Sequence, residues 1–329
     1  MRAHDSAIGA ARITVDTPSA RPPASGTAPA GPRPTGTASA PPPDTARGGI
    51  LLAALGVAAF SLTFPATVWA LEGLGPWTVV MLRSVLAAAV AGACFAARRT
   101  PLPARRHWPG IAVVACGVVL GFPLLTTLAL ETTTTSHAAV VVGLLPLTTA
   151  AFAALRTGTR PSRTFWLAAL TGAAVVIAFA LYQSGGRPGA GDLFLFGALL
   201  VCAAGYAEGG RLARVLPGWE VIGWALVLAL PVTVTGSALA LTAEPPHPTP
   251  HAVAGLLWLA AGSTFAGMVV WYRGMAAVGV ARASQIQLAQ PLLTLVWSVA
   301  LLGEHLPPAA PVAALAVLAC IVVTQRGRG

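Results

Sequence analysis

The amino-acid sequence predicts an all-α polytopic membrane protein whose ten transmembrane helices form two inverted five-helix repeats. Three observations lead to this fold class: the composition, the placement of the arginines, and an internal duplication. The chain of 329 residues is 56% hydrophobic and only 9% charged, with a mean hydropathy of +0.75, whereas a soluble domain carries roughly 25% charged residues. Lipid offers no partner for an unpaired backbone group, so the spans are expected to be helical.

Three segments organise the chain. Residues 1–48 are rich in Pro, Ala, Thr and Gly and are expected to form a disordered cytoplasmic tail, because this composition cannot bury a core. Residues 49–183 and 191–325 are expected to be the first and the second five-helix repeat. The apolar stretches long enough to cross a bilayer are predicted at 49–71, 76–97, 108–130, 134–155, 163–183, 191–213, 219–241, 252–273, 280–302 and 307–325.

The arginines predict the orientation in the membrane. All 20 basic residues are arginines, and an excess of arginine in short loops marks the cytoplasmic side. With the amino terminus inside, only Arg83, within a span, and Arg187 fall elsewhere than on the cytoplasmic side. The acidic loop residues that fall on the outer side are Glu72, Glu131, Asp192, Glu244 and Glu304. This alternation requires an even number of spans and predicts that both termini are cytoplasmic.

The internal duplication relates residues 134–159 to residues 279–304. The residue pairs that coincide in the alignment are Pro146 with Pro291, Ala138 with Ala283, Thr149 with Thr294 and Gly158 with Gly303. The same offset pairs Gly117 with Gly262 and Gly121 with Ala266, small residues that allow helices to approach closely. Five spans per repeat is an odd number, so the two repeats are expected to be inverted relative to each other.

Three stretches resemble a known family. The segments SHAAVVVGLLPLTTAAFAAL at 136–155, ARASQIQLAQ at 281–290 and PLLTLVWSVALLGE at 291–304 are similar to the EamA-type transporters of the drug/metabolite transporter superfamily. The resemblance extends from about residue 49 to residue 325. It implies a secondary carrier of small metabolites, amino acids or drugs, with export as the common direction.

Arg83 is a candidate substrate-binding residue. It lies in the second span, within MLRSVLAAAV, with no acidic neighbour in its own helix. A charge in a membrane span costs at least ~2.5 kcal/mol, so the side chain must face a partner or a hydrated cavity. The sequence therefore predicts an anion-attracting site for a substrate carboxylate. The alternative is a structural arginine that extends to the outer membrane surface.

Glu208 is a candidate for coupling and for substrate binding. It lies in the sixth span between Gly205 and Gly209. A partly buried carboxylate can take up and release a proton, because burial disfavours its charged form. The alternative is a local ion pair with Arg211, three residues further along the helix, or with Arg214.

Glutamines mark the ninth span. Gln287 and Gln290 share a helix face, whereas Gln285 lies elsewhere on the helix. Amides in lipid need partners, so Gln287 and Gln290 are expected to face inward and to bind substrate or to join helices. Pro291 and its counterpart Pro146 are expected to kink their spans in matching places, either beside a carrier site or as plain packing kinks.

Aromatic residues and one histidine complete the candidates. Tyr206, Trp271 and Tyr272 are candidate substrate-binding residues, with packing in the core or at the membrane interface as the alternative. His137 in the fourth span is a candidate proton carrier for coupling, with a hydrogen-bonded structural histidine as the alternative.

Several functions find no support in the sequence. There is no lysine and hence no phosphate-binding P-loop, so transport energy must come from a gradient or from the solute itself. The cysteine spacings match neither a zinc site nor a redox pair, and His247 and His251 lie in a proline-rich segment that prevents helical metal spacing. We expect no cofactor and no metal. The net charge of +10 is explained by topology and does not indicate nucleic-acid binding.

These features predict a multi-pass secondary active transporter in the plasma membrane, the bacterial inner membrane, and not an enzyme. Its partners are expected to be a small-molecule substrate and the lipid bilayer, with protons as the candidate coupling ion. The alternatives are a membrane-embedded enzyme, for which the spans offer few polar groups, and a non-transporting membrane scaffold.

Overall fold

The computed structural model describes residues 43–158, 162–278 and 286–326. The regular structure in these ranges is helical, without a strand. Most of the expected tail lies outside the described residues, and the first helix begins at Pro43, before the expected start of the first span at residue 49. The α-helices are α1 Pro43–Ser61, α2 Thr63–Leu71, α3 Pro76–Arg98, α4 Trp108–Val114, α5 Phe122–Leu130, α6 Thr135–Val142, α7 Leu145–Thr157, α8 Arg163–Gln183, α9 Ala190–Leu212, α10 Gly218–Ala243, α11 Pro250–Leu257, α12 Met268–Val278, α13 Gln290–Leu302 and α14 Ala309–Arg326.

Eight helical stretches among the described residues are long and apolar enough to cross a membrane. They are Arg47–Leu71, Pro76–Arg98, Arg105–Leu130, Thr135–Arg156, Arg163–Gln183, Ala190–Leu212, Gly218–Ala243 and Pro250–Trp271. The all-helical architecture is thereby confirmed for the described residues, and these stretches agree with a polytopic membrane protein. The ninth and tenth predicted spans coincide, in their described parts, with the shorter apolar helices Gln290–Leu302 and Ala309–Val323. The number of ten spans and the inverted arrangement stay predictions.

Two predicted spans are interrupted at matching prolines. Pro146 lies in the first turn of α7 and Pro291 in the first turn of α13, and each follows a break in the helix. Proline is tolerated in a first turn because its missing N–H would have no intrahelical partner there. The sequence predicts a kink at each proline, and the structure has a break in the helix just before each of them.

Two other spans contain π-helical segments that the sequence does not predict. Residues Ala115–Gly121 join α4 to α5, and residues Trp258–Gly267 join α11 to α12. In the sequence alignment that pairs Pro146 with Pro291, residues 115–121 align with residues inside the second π-helical segment. A π-helical turn changes the direction in which the neighbouring side chains point, and such turns are frequent at functional sites.

Extensive contacts join helices that are distant in sequence. Helix α1 packs along α12, α3 along α10, α8 along α14, and α9 against α4, α5 and α7. At the α9 contact, Gly117 faces Gly205, and a Cβ on Gly117 would overlap the carbonyl oxygen of Val201. The close approach predicted at Gly117 is present, and it brings the first π-helical segment against α9.

Candidate functional site

Two adjoining chambers lie between the helices. The smaller has a volume of about 140 Å³ and the larger about 390 Å³. We call the two together the central cavity, because they share the lining residues Phe64, Val142, Leu145, Tyr206, Gln287, Gln290 and Thr294. These residues come from both predicted repeats, so the central cavity has walls from each.

Arg83 lines the smaller chamber. Its side chain is buried, with 9% of the residue exposed, and its Nη2 donates to Oγ1 of Thr264 at 2.9 Å. Thr264 in turn donates its hydroxyl hydrogen to the carbonyl oxygen of Leu259 at 2.7 Å. No carboxylate of a described residue forms an ion pair with Arg83. A buried cation therefore faces the cavity with a neutral hydroxyl as its partner.

The second π-helical segment supplies hydroxyl groups to the cavity. Ser263 and Thr264 both line the smaller chamber, and the hydroxyl of Ser263 lies 2.7 Å from that of Thr63 on α2. Thr294 also lines the cavity and donates to the carbonyl oxygens of Ser61 and Gln290, both at 3.0 Å. Hydroxyl groups from several helices thus surround the guanidinium-bearing chamber.

Gln287, Gln290 and Tyr206 line both chambers. Gln290 begins α13 and Gln287 precedes it, on either side of the break before Pro291. Neither amide forms a hydrogen bond with a described side chain or backbone group. The structure therefore brings together Arg83, Tyr206, Gln287 and Gln290, four of the residues that the sequence predicts for substrate binding.

Glu208 lies apart from the central cavity. It lines a separate pocket of about 270 Å³ near the end of α9, together with Arg106 and Arg156. Its Oε1 accepts hydrogen bonds from Nε and Nη2 of Arg211 at 2.9 and 2.5 Å. Its Oε2 lies 3.7 Å from Nε of Arg156 on α7. The carboxylate is thus held by arginines of two helices.

His137 also has an acidic partner. Its Nε2 lies 2.7 Å from Oδ1 of Asp192, and both residues are buried. Asp192 further accepts hydrogen bonds at Oδ2 from the hydroxyl of Ser184 at 2.6 Å and from the backbone N–H of Gly189 at 2.9 Å. The imidazole stacks on Phe179. This cluster connects α6, α8 and α9 outside the lining of the central cavity.

Trp271 packs in a small apolar cluster with Ala53 and Val57 of α1. Its ring meets the ring of Phe60 edge to face, with the centroids 6.3 Å apart. It does not belong to the described lining of the central cavity. The side chain of Tyr272 lies outside the described residues.

Comparison with known proteins defines the family. The sequence model of the EamA-like transporter family matches the chain twice, over residues 47–181 and 189–325. The chain belongs to the EamA-like transporter family. It is 41% identical over 275 residues to a protein named uncharacterized transporter YdeK of Bacillus subtilis (strain 168), covering 83% of this chain and 95% of YdeK. A solved crystal structure with 21% identity covers 84% of this chain and 97% of its own, with a TM-score of 0.60, and shares the fold.

Two carboxylates of this membrane transporter cap distant helices. Glu304, after α13, accepts the backbone N–H groups of Thr135 and Ser136 at 2.7 and 3.0 Å, at the start of α6. Glu244, after α10, accepts the backbone N–H and the hydroxyl of Thr78 at 3.0 and 2.9 Å, near the start of α3. A helix N-terminus attracts negative charge, so both contacts are favourable.

Sequence reasoning missed several cavity residues of this EamA-family protein. The hydroxyls of Thr63, Ser263 and Thr264 give a weak signal, since serine and threonine in a span usually bond to the carbonyl groups of their own helix. The segment GSTFAG at 262–267 offers the best sequence signal, because two adjacent hydroxyls follow a glycine within an apolar span. Asp192, assigned to a loop from the sequence, forms part of the buried cluster with His137.

Proposed function

We propose that this transporter is a secondary active carrier that exports a small metabolite, amino acid or drug across the bacterial plasma membrane by alternating access. The observation that carries the proposal is the central cavity, which is partly polar and takes its walls from both predicted repeats. Carriers built from inverted repeats bind their solute between the repeats, near the bilayer midplane. Arg83, Tyr206, Gln287 and Gln290 are the residues that we assign to solute binding.

The pairing of helices supports two inverted repeats. With the ten predicted spans numbered along the chain, extensive contacts join span 1 to 8, 6 to 3, 2 to 7, 5 to 10 and 4 to 9. Each span of the first repeat has a counterpart five places later in the second repeat. When every span is replaced by its counterpart, the pair of spans 1 and 8 becomes the pair of spans 6 and 3, and the whole set of pairs stays the same. The contacts of span 4 with span 6 and of span 9 with span 1 exchange in the same way. A pseudo-twofold axis between the repeats has this property, and an odd number of spans per repeat makes the repeats inverted.

Polar contacts at the two ends of the bundle support alternating access. At the predicted outer end, Glu244 and Glu304 of the second repeat hold the starts of α3 and α6 of the first repeat. At the predicted inner end, Arg156 and Glu208 connect α7 to α9 at 3.7 Å. Alternating access requires contacts between the repeats to break at one end while they form at the other. Ion pairs and caps near water exchange partners at small cost, so they suit this role.

Protons are proposed as the coupling ion, with Glu208 and His137 as the candidate residues. Both residues join the two predicted repeats, Glu208 through Arg156 and His137 through Asp192. Glu208 is the better placed of the two, because its carboxylate lines a pocket and its partner Arg156 is exposed, whereas His137 and Asp192 are both buried. Protonation of the Glu208 carboxylate would weaken its contact with Arg156 and thereby favour opening at the inner end. Asp192, Ser184 and Gly189 hold the His137 cluster together within one end of the bundle, so His137 has fewer means of acting on the cavity.

Solute counterflow tests the carrier function. Comparison of the metabolites retained and released by cells with and without the protein supplies candidate solutes, and proteoliposomes loaded with each candidate are then assayed for uptake of labelled solute. A carrier exchanges solute without changing it. We expect Gln290→Leu to lower counterflow by about tenfold, as expected for a lost hydrogen bond in a dry site. Gln183→Leu, at the exposed end of α8, is the matched control and should transport normally.

Two outcomes would contradict the proposal. A purified protein that exchanges none of the solutes retained or released in cells is not a carrier of them. Equal counterflow by Gln290→Leu and Gln183→Leu would place the solute outside the central cavity.

A further inference from the structure

We propose that the solute is an amphipathic organic monoanion, bound through its anionic group to Arg83 in the smaller chamber, with its apolar body in the larger chamber. This inference rests on the proposed carrier function and specifies its substrate class. Its basis is the charge balance of the central cavity together with the different linings of the two chambers.

The guanidinium of Arg83 needs an acceptor. It is buried, and its one hydrogen bond to a described residue goes to the neutral hydroxyl of Thr264. That hydroxyl already donates to Leu259, so it offers Arg83 a lone pair and no charge. A guanidinium carries five N–H donors in a planar fork that matches the two oxygens of a carboxylate, a sulfonate or a phosphate ester. Most of this fork remains unpaired toward the cavity.

The single positive charge in the lining of the central cavity favours a solute with a single negative charge. Arg83 is the one charged residue among the described residues that line the two chambers. A cationic solute would lie near this arginine without a counter-charge, at a large desolvation cost. A zwitterionic amino acid would pair its carboxylate but leave its ammonium group unpaired. A dianion would leave one negative charge without a partner.

The lining of the larger chamber suits the apolar part of the solute. The volume of this chamber is about 390 Å³, and its lining includes Pro146, Ala150 and Ala153 of α7 and Leu318 and Ile321 of α14. Pockets of roughly 300–1,000 Å³ with mainly apolar walls hold drug-sized ligands. An aliphatic or aromatic body therefore suits this chamber.

The polar groups mark the junction between the chambers. Gln287, Gln290 and Tyr206 line both of them, and the two amides have no hydrogen bond to a described residue. These amides can donate a hydrogen bond to, or accept one from, a polar atom of the solute that lies between its anionic group and its apolar body. The geometry thus orders the solute along the cavity as anion, polar linker and apolar body.

A matched series of probes tests the class. Labelled 3-phenylpropanoate is bound to the full-length protein in nanodiscs of zwitterionic lipid, and unlabelled compounds with the same body compete. We expect 3-phenylpropanoate to compete at least about tenfold better than 3-phenylpropylamine, phenylalanine or 3-phenylpropanol, the factor expected for a charge-assisted hydrogen bond. Equal competition by the four compounds, a preference for the amine, or no binding of the anion would overturn the inference without any variant.

Variants assign the preference to Arg83. Arg83→Gln should reduce binding of 3-phenylpropanoate by about tenfold or more and should abolish the advantage over 3-phenylpropanol. Arg187→Gln, an exposed loop arginine, is the matched control and should bind like the wild type. Where Arg83→Gln is poorly folded, Arg83→Lys keeps a cation at this position and should keep the preference for 3-phenylpropanoate over 3-phenylpropanol. Loss of the preference in Arg187→Gln, or its persistence in a folded Arg83→Gln, contradicts the inference.

Two sources supply such an anion, the aqueous phase and the bilayer. A second set of nanodiscs, containing oleate or phosphatidylglycerol, separates them. Displacement of 3-phenylpropanoate by the bilayer anion in an Arg83-dependent way identifies a lipid-derived solute, and unchanged binding identifies a water-borne one. Both results keep the class.

The inference and the carrier function fail in distinguishable ways. A protein that carries out counterflow but prefers the amine is a carrier with a different substrate class. A protein that binds 3-phenylpropanoate through Arg83 but exchanges no solute in proteoliposomes has the anion site and lacks the carrier function.

Discussion

Three buried ionisable side chains, Glu208, His137 and Arg83, differ in whether they have a partner of opposite charge. Glu208 is held by Arg211 and Arg156, and His137 is held by Asp192. Arg83 has a neutral hydroxyl and the open side of a cavity. A charge inside a membrane protein is costly unless it is paired or hydrated. The paired groups are therefore compensated within the protein, whereas Arg83 is the group to which we propose that a solute binds.

Glu208 provides the prediction at the residue scale. Replacement of Glu208 by Gln keeps the size of the side chain but removes the group that takes up a proton. We expect solute exchange by Glu208→Gln to be independent of an imposed pH gradient, whereas the wild type responds to it. The measurement is the initial rate of exchange in proteoliposomes at several external pH values.

The matched control is Glu220→Gln. Glu220 lies in the first turn of α10, which follows the end of α9 after a short loop, and it forms no ion pair with a described residue. Its variant should respond to the pH gradient like the wild type. A Glu208→Gln variant with an unchanged response would remove Glu208 from the coupling step and leave it as a structural ion pair.

At the residue scale, the sequence indicates cavity residues where a strong polar group interrupts an apolar stretch. This signal identifies Arg83, Gln287 and Gln290. It cannot identify Arg156 as a partner of Glu208, because the two lie on different helices and their distance depends on how those helices pack. Sequence patterns do not identify Ser263 and Thr264 as cavity residues for another reason. These two residues lie in a π-helical segment, and tertiary packing determines which way its side chains point.

At the scale of elements, helices of one predicted repeat begin on carboxylates of the other. Glu304 accepts the first two N–H groups of α6, and Glu244 accepts the backbone N–H and the hydroxyl of Thr78 near the start of α3. An N-terminal cap of this kind contributes ~1 kcal/mol. The starts of α6 and α3 can therefore separate from the second repeat at modest cost, so the contacts can act as a closure of the predicted outer end.

Glu304→Gln tests this closure. The variant loses the carboxylate charge at the start of α6, so the outer end should open more often. Accessibility is measured with Val142→Cys, whose side chain lines both chambers, after replacement of the native Cys94, Cys116, Cys202 and Cys320 by alanine. We expect external labelling by a membrane-impermeant maleimide to be about fivefold faster, which corresponds to a lost cap of ~1 kcal/mol.

Glu131→Gln is the control for this experiment. Glu131 is an exposed acid just after α5 and forms no side-chain hydrogen bond or ion pair with a described residue. Its variant should be labelled at the rate of the parent protein. Unchanged labelling in Glu304→Gln would show that its contact with α6 does not close the cavity.

At the scale of the whole molecule, the pairs of packed helices are unchanged when the two predicted repeats are exchanged. The sequence predicts this arrangement from the alignment of Pro146 with Pro291 and from the distribution of arginine. The central cavity itself could not be located from these patterns, because its walls come from helices that only folding brings together. Its place between the repeats gives both faces of the membrane a route to the same site, provided that the ends open in turn.

The most direct test of this account is two-sided labelling of Val142→Cys in the cysteine-free protein. A membrane-impermeant maleimide is applied to right-side-out vesicles and, separately, to inside-out vesicles. The account predicts labelling from both sides, slowed in each case by the solute identified by counterflow. Labelling from one side alone, or from both sides without any protection by the solute, would contradict a single solute site reached alternately from the two faces of the membrane.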